Sequence, residues 1–135
     1  MAKIIAVDYG SKRTGLAVTD DLQIIASGLT TVATQDLFTY LKDFFEKNEV
    51  EAIVLGEPKR LDGSDTHSSV DVRKLKEKLG TTFAVPIHMI DERFTSKMAF
   101  QTMIDSGLSK KQRRNKALVD EISATIILQS YLETK

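Results

Sequence analysis

The chain contains no cysteine. That excludes disulfides, thiolate metal sites and a cysteine nucleophile, and it fits a reducing compartment, the cytoplasm being the expectation. An excess of charge is also absent: lysine plus arginine and aspartate plus glutamate number 19 each. Nothing in the net charge demands a polyanionic partner, so any such argument rests on local clusters. No run approaches the roughly 18 to 20 apolar residues of a membrane span. The first residues enter an apolar strand pattern with no cationic segment ahead of a long apolar one, so a soluble protein with no membrane partner is expected. There are two prolines and no low-complexity tract or internal repeat. No Walker A loop, Gly-x-Gly-x-x-Gly turn or Gly-x-Ser-x-Gly elbow occurs.

What is present is the composition of an ordinary globular protein of 135 residues, 41% hydrophobic and 28% charged. One domain, 1–135, is the expectation, since this length can bury a single core of helices on a sheet. Apolar runs separated by Gly10, Gly15 and the pair Asp20 and Asp21 predict three strands at residues 3–7, 14–19 and roughly 24–32. Their short links imply an antiparallel meander.

Leu37, Phe38, Leu41, Phe44 and Phe45 form the stripe of a helix over 35–48, with Thr34 placed to cap it. A buried strand at 52–55 follows, then a second amphipathic helix over 65–79 closed by Gly80 as a C-terminal cap. A strand at 85–90 ends in Asp91-Glu92-Arg93, and Thr95 or Ser96 caps a helix running to about Ser106. After the cationic loop 109–115, a last helix over 116–132 is apolar around most of its circumference, so it must be largely buried. The order predicts an α/β protein with a mixed sheet, antiparallel at one side and parallel in the second half, and helices on both faces.

Ligands of open sheets collect outside the carboxyl ends of the parallel strands. Asp8 and Glu92 end two such strands, and Asp120 joins them if the last helix packs across that edge, because it lies on the same side as Ala124, Ile127 and Tyr131. Clustered carboxylates repel one another, and a hard divalent cation bound through oxygen neutralises them, which points to Mg²⁺ or Mn²⁺. Two ions can activate water and stabilise the leaving oxygen of a phosphodiester, with Asp8 bridging them and Glu92 and Asp120 holding one each. Lys12 and Arg13 follow Asp8 and could touch the phosphate, and Arg93 could bind it through two parallel N–H bonds.

Plainer readings exist for each. Asp8 could be a turn residue, Glu92 could pair with Arg93, Asp120 could be a helix N-terminal acid, and Glu121 could be the ligand in its place. The run from Lys110 through Lys116 holds five cations in seven positions. It reads equally as a solvated loop and as a phosphate-backbone contact through Lys110, Lys111, Arg113 and Arg114. His67 and His88 have no metal-ligand spacing, and His88 reads as a packed strand residue.

Taken together, Asp8-Tyr9-Gly10 with Arg13 and Gly15-Leu16-Ala17, Gly56-Glu57-Pro58 followed by Asp62-Gly63-Ser64, Asp91 through Ser96, and Asp120 with Ser123-Ala124 and Ile127-Leu128 resemble the YqgF family, also called RuvX. The resemblance spans essentially the whole chain. It implies a ribonuclease H-like fold built on a five-stranded mixed sheet, with Asp8, Glu92 and Asp120 at the family's acidic positions. It also implies a nuclease acting on a four-way DNA junction or on the 5′ end of precursor 16S ribosomal RNA, as a monomer or homodimer. Glu57 departs from the family's usual apolar residue and is either a fourth metal ligand or an exposed loop acid. Two other functional classes compete: a non-catalytic nucleic-acid-binding or ribosome-assembly module, and an actin-like or sugar-kinase-like nucleotide-binding domain, whose phosphate loop also follows a strand.

Overall fold

A computed structural model describes residues 2–57, 69–91 and 115–134. The predicted helix over 95–106, most of the basic loop, and Glu92, Arg93, Lys110, Lys111, Arg113 and Arg114 lie outside the described residues.

Five strands, β1 (Lys3–Asp8), β2 (Arg13–Thr19), β3 (Ala26–Ala33), β4 (Val50–Glu57) and β5 (Ile87–Asp91), form one sheet in the order β3-β2-β1-β4-β5. The β3-β2-β1 half is antiparallel and the β1-β4-β5 half parallel. The helices are α1 (Leu37–Lys47), entered through a 3₁₀ turn at Thr34–Asp36, α2 (Ser69–Phe83) and α3 (Lys116–Thr134).

The alternation of side chains along the strands decides which face each residue serves. Ile5, Val7, Ile53 and Leu55 bury themselves with Leu37 and Leu41 of α1 and Val72, Leu75 and Leu79 of α2. Ile4, Ala6, Ala52 and Val54 bury themselves with Ala124, Ile127 and Leu128 of α3. The short side chains on the second face suit a helix lying close, and α3 crosses the sheet from β3 toward β5 there. The predicted mixed sheet with helices on both faces is what forms.

Three local expectations are corrected. Ile24 and Ile25 stand outside β3, at the tip of the β2–β3 hairpin, 68% and 62% exposed. The Asp20 carboxylate accepts hydrogen bonds from their N–H groups at 2.8 and 2.9 Å, which folds the segment into a turn instead of a strand. Thr34 does not cap α1; its hydroxyl is drawn to the β1–β2 turn. Gly80 does not end α2, which runs on to Phe83, and the left-handed residue is Ala84 at φ 54°. The extra turn carries the Phe83 ring onto Phe45 at 4.4 Å and Phe38 at 6.2 Å between centroids. That aromatic burial outweighs the ~1 kcal/mol cost of an interior glycine.

Candidate active site

Asp8 is the last residue of β1, half-buried, in phase with Ile4 and Ala6, and so on the face that α3 covers. Its Cα partner on β2 is Gly15. A side chain at Gly15 would overlap the Asp120 carbonyl oxygen of α3, so the absence of a Cβ lets the helix backbone rest on the strand. Asp120 therefore sits over the residue next to Asp8, one strand spacing of about 5 Å away. Two strand-edge features, an aspartate and a glycine, bring together acids 112 positions apart in the sequence.

Asp120 is held from below as well. Arg13, in phase with Gly15 on β2, donates from Nε to Asp120 Oδ2 at 2.9 Å, with the two side chains 40% and 25% exposed. Charge-assisted contact of this kind fixes a carboxylate's orientation. The sequence suggests Arg13 as a phosphate contact; in the structure its Nε engages the acid, and a guanidinium carries further donors besides. Lys12 is exposed in the preceding turn.

That turn is anchored through Thr34, a residue whose part the sequence did not disclose. Its hydroxyl donates to the Gly10 carbonyl at 2.5 Å and lies 2.9 Å from the buried Thr14 hydroxyl, while its N–H donates to the Lys12 carbonyl at 3.0 Å. The segment from Gly10 to Arg13 is thus tied to the entry of α1. At the start of α3, Asn115 Oδ1 accepts from the N–H groups of Ala117 and Leu118 at 3.1 and 3.3 Å, a side-chain N-cap. The Thr31 hydroxyl donates to the Ala117 carbonyl at 2.6 Å, pinning that end of the helix to β3.

Of the other expected acids, Glu57 and Glu121 stand apart from Asp8. Glu57 ends β4 instead of lying in a loop, in phase with Ile53 and Leu55, so it falls on the α1/α2 face, opposite to Asp8. Its Cα partner is Asp91, which shares that phase on β5. Glu121 lies over Gly28 of β3, two strands from Asp8, where any glycine substitution would meet its carboxylate. His88 stacks on Tyr131 at 5.0 Å, the packed strand residue its position suggested.

Asp8 and Asp120 are hard oxygen donors of the kind a divalent cation takes. Among the described residues they are a pair, and no cluster of three or more His, Cys, Asp or Glu side chains is close enough to hold an ion. The donor chemistry of the two carboxylates fits a divalent metal.

A sequence model of the RuvX family, described as "Holliday junction resolvase", matches residues 2–134. The chain belongs to this family. A RuvX relative from Flavobacterium psychrophilum, named "Putative pre-16S rRNA nuclease", is 57% identical over 136 residues, covering 100% of this chain and 99% of that protein. The Holliday junction resolvase of fowlpox virus is similar in structure, with a TM-score of 0.60 at 16% identity over 98% of this chain and 99% of the other. T. thermophilus RuvC in complex with Holliday junction substrate gives 0.56 at 15% identity, over 99% and 96%. At these identities the structural likenesses speak for the fold, which is ribonuclease H-like.

No described helix is long and apolar enough to cross a membrane.

Proposed function

We propose that this RuvX protein is a metal-dependent endonuclease that hydrolyses phosphodiester bonds in structured nucleic acid in the cytoplasm, with precursor 16S ribosomal RNA as its substrate. The observation that carries the reading is the seating of Asp120 over Gly15, beside Asp8, with Arg13 on its carboxylate. The names of relatives more than half identical favour RNA. The family's own description favours a four-way DNA junction as the second reading.

Asp8, Glu92 and Asp120 would hold Mg²⁺ or Mn²⁺. What supports the third member is its place in the sequence, directly after Asp91, the last residue of β5, at the carboxyl end of a parallel strand where ligands of open sheets collect. Such cations supply a nucleophilic water at neutral pH and stabilise the leaving oxygen. The chain's own contribution is arrangement. Arg13 orients the Asp120 carboxylate and offsets part of the repulsion between it and Asp8. Lys12 and Arg93 contact phosphate, and Lys110, Lys111, Arg113 and Arg114 track the backbone beyond the cleaved bond, which makes binding salt-dependent. The proposed set does not include Glu57, in phase with the α1/α2 face, or Glu121, over Gly28.

The test incubates purified protein with Mn²⁺ or Mg²⁺ and, in parallel, a labelled precursor 16S RNA fragment and a labelled four-way DNA junction. Cleavage of the RNA in preference to the junction is expected. Cleavage of the junction alone would move the assignment to the second reading, and binding without cleavage of either would leave a non-catalytic module.

A further inference from the structure

The carboxyl end of β1 presents different chemistry on its two faces. Asp8 is on the α3 side, while Tyr9, the next residue, packs against the α1/α2 core. Beyond Tyr9 a cavity of about 400 Å³ opens between the entry of α1 and the outer face of α2. That volume is in the range of sites that take small organic groups, about 300 to 1,000 Å³. Its lining includes the rings of Tyr9 and Phe38, the amide side chain of Gln35, and Lys74 and Lys78, one turn apart on α2. Lys78 Nζ lies 4.6 Å from the Phe38 ring centroid, and Phe83 stacks on the same ring, so Tyr9 is the ring that faces a guest. Among the described residues Asp71 is the one acid in the lining.

An aromatic ring, an amide and two cations match the parts of a nucleotide: a base to stack, edges to hydrogen-bond and a phosphate to pair. We infer that this cavity receives an unpaired nucleotide adjoining the cleaved bond, its base on Tyr9 and its phosphate at Lys74 and Lys78. Tyr9 and Asp8 are consecutive, so a strand whose scissile phosphate lies at Asp8 carries its neighbour over the sheet edge to Tyr9. A base held in a duplex has no free face for the ring, so the substrate class is one with a single-stranded flank at the cleavage point. This inference rests on the nucleic-acid reading above and deepens it.

The experiment measures binding in EDTA, independent of cleavage, with a short fluorescently labelled single-stranded RNA and the same sequence as a blunt duplex. Tyr9→Leu is expected to weaken single-strand binding about ten-fold, in line with one lost base–aromatic stack, and to leave duplex binding unchanged. Tyr9→Phe keeps the ring and the affinity. Lys74→Glu, on the exposed side of α2, weakens single-strand binding more than Lys76→Glu, an identical charge change on the same helix outside this cavity. Circular dichroism confirms that Tyr9→Leu is folded, and the lysine pair tests the site should it not be. Wild-type affinity in Tyr9→Leu, or equal losses in the two lysine variants, would overturn the inference. This binding pattern without any cleavage in Mn²⁺ would sink the nuclease reading and leave the cavity assignment standing.

Discussion

Arg13 Nε donates to Asp120 Oδ2 at 2.9 Å, joining the first residue of β2 to the second turn of α3 across 107 positions of sequence. Both side chains keep partial access to solvent, so water screens the pair and its contribution to stability is small, at most about 1 kcal/mol. Its effect on the position of a reacting carboxylate is of another order. Arg13→Ala is expected to leave the urea midpoint nearly unchanged while lowering nucleic-acid cleavage at least ten-fold. A variant that melts early and cleaves normally would assign the pair to stability alone.

Gly15 is the contact point between β2 and α3. In Gly15→Ala the added methyl meets the Asp120 carbonyl, which is helix backbone and cannot rotate away. Overpacking of this kind costs about 1 to 3 kcal/mol, and here α3 must lift, taking Asp120 from Asp8. The expected result is a folded, less stable protein with little cleavage, read by denaturant unfolding alongside the activity assay. Gly28→Ala meets side-chain atoms of Glu121, from Cγ outward, which can change rotamer where helix backbone cannot, and should be milder on both counts.

The two hydroxyls of Thr14 and Thr34 share one hydrogen bond, and Thr14 is fully buried. Thr34→Val strands the Thr14 hydroxyl and releases the Gly10 carbonyl, at a cost of about 1 to 3 kcal/mol. Thr14→Val in the same background removes the stranded group, so the double variant should lose less than the sum of the two singles. A thermodynamic cycle from urea unfolding checks this; strict additivity would mean that the hydroxyls are not coupled.

Asp20 carries the pH dependence that the described residues make explicit. Its carboxylate accepts from the N–H groups of Ile25 and Ile24, which hold its pKa below the ordinary 3.8. A depressed folded-state value means that the contribution is complete above the ordinary carboxylate range and disappears as pH falls through the folded value. The stability difference between wild type and Asp20→Asn, measured at about pH 6, should shrink progressively below about pH 4. A difference independent of pH would show that the carboxylate's charge is immaterial to the hairpin.

Much of this architecture is written in periodicities. The alternation of β1 and the 3.6-residue spacing of α3 were enough to put Asp8 and Asp120 on facing surfaces, since Ile4 and Ala6 on one side and Ala124 and Ile127 on the other are buried together. What the sequence hid were choices made by distant partners. Thr34 reads as a helix cap locally, yet Gly10 and Thr14 compete for its hydroxyl and win. Gly80 reads as a stop, yet the Phe83 ring finds Phe45 one turn later. Ile24 and Ile25 read as strand because they are apolar and β-branched, and the Asp20 turn takes them out of the ladder. The part played by Gly15 in seating Asp120 has no local signature at all, because the clash it avoids comes from a helix 105 residues away.

The most direct test of a single centre built by Asp8 and Asp120 is a cleavage cycle on labelled precursor 16S RNA in Mn²⁺, comparing Asp8→Asn, Asp120→Asn and the double variant. Groups that act as a unit lose nearly everything with either member, so each single variant should fall to the background rate and the double should fall no further. Substantial cleavage by either single variant, or losses that multiply in the double, would contradict a shared centre.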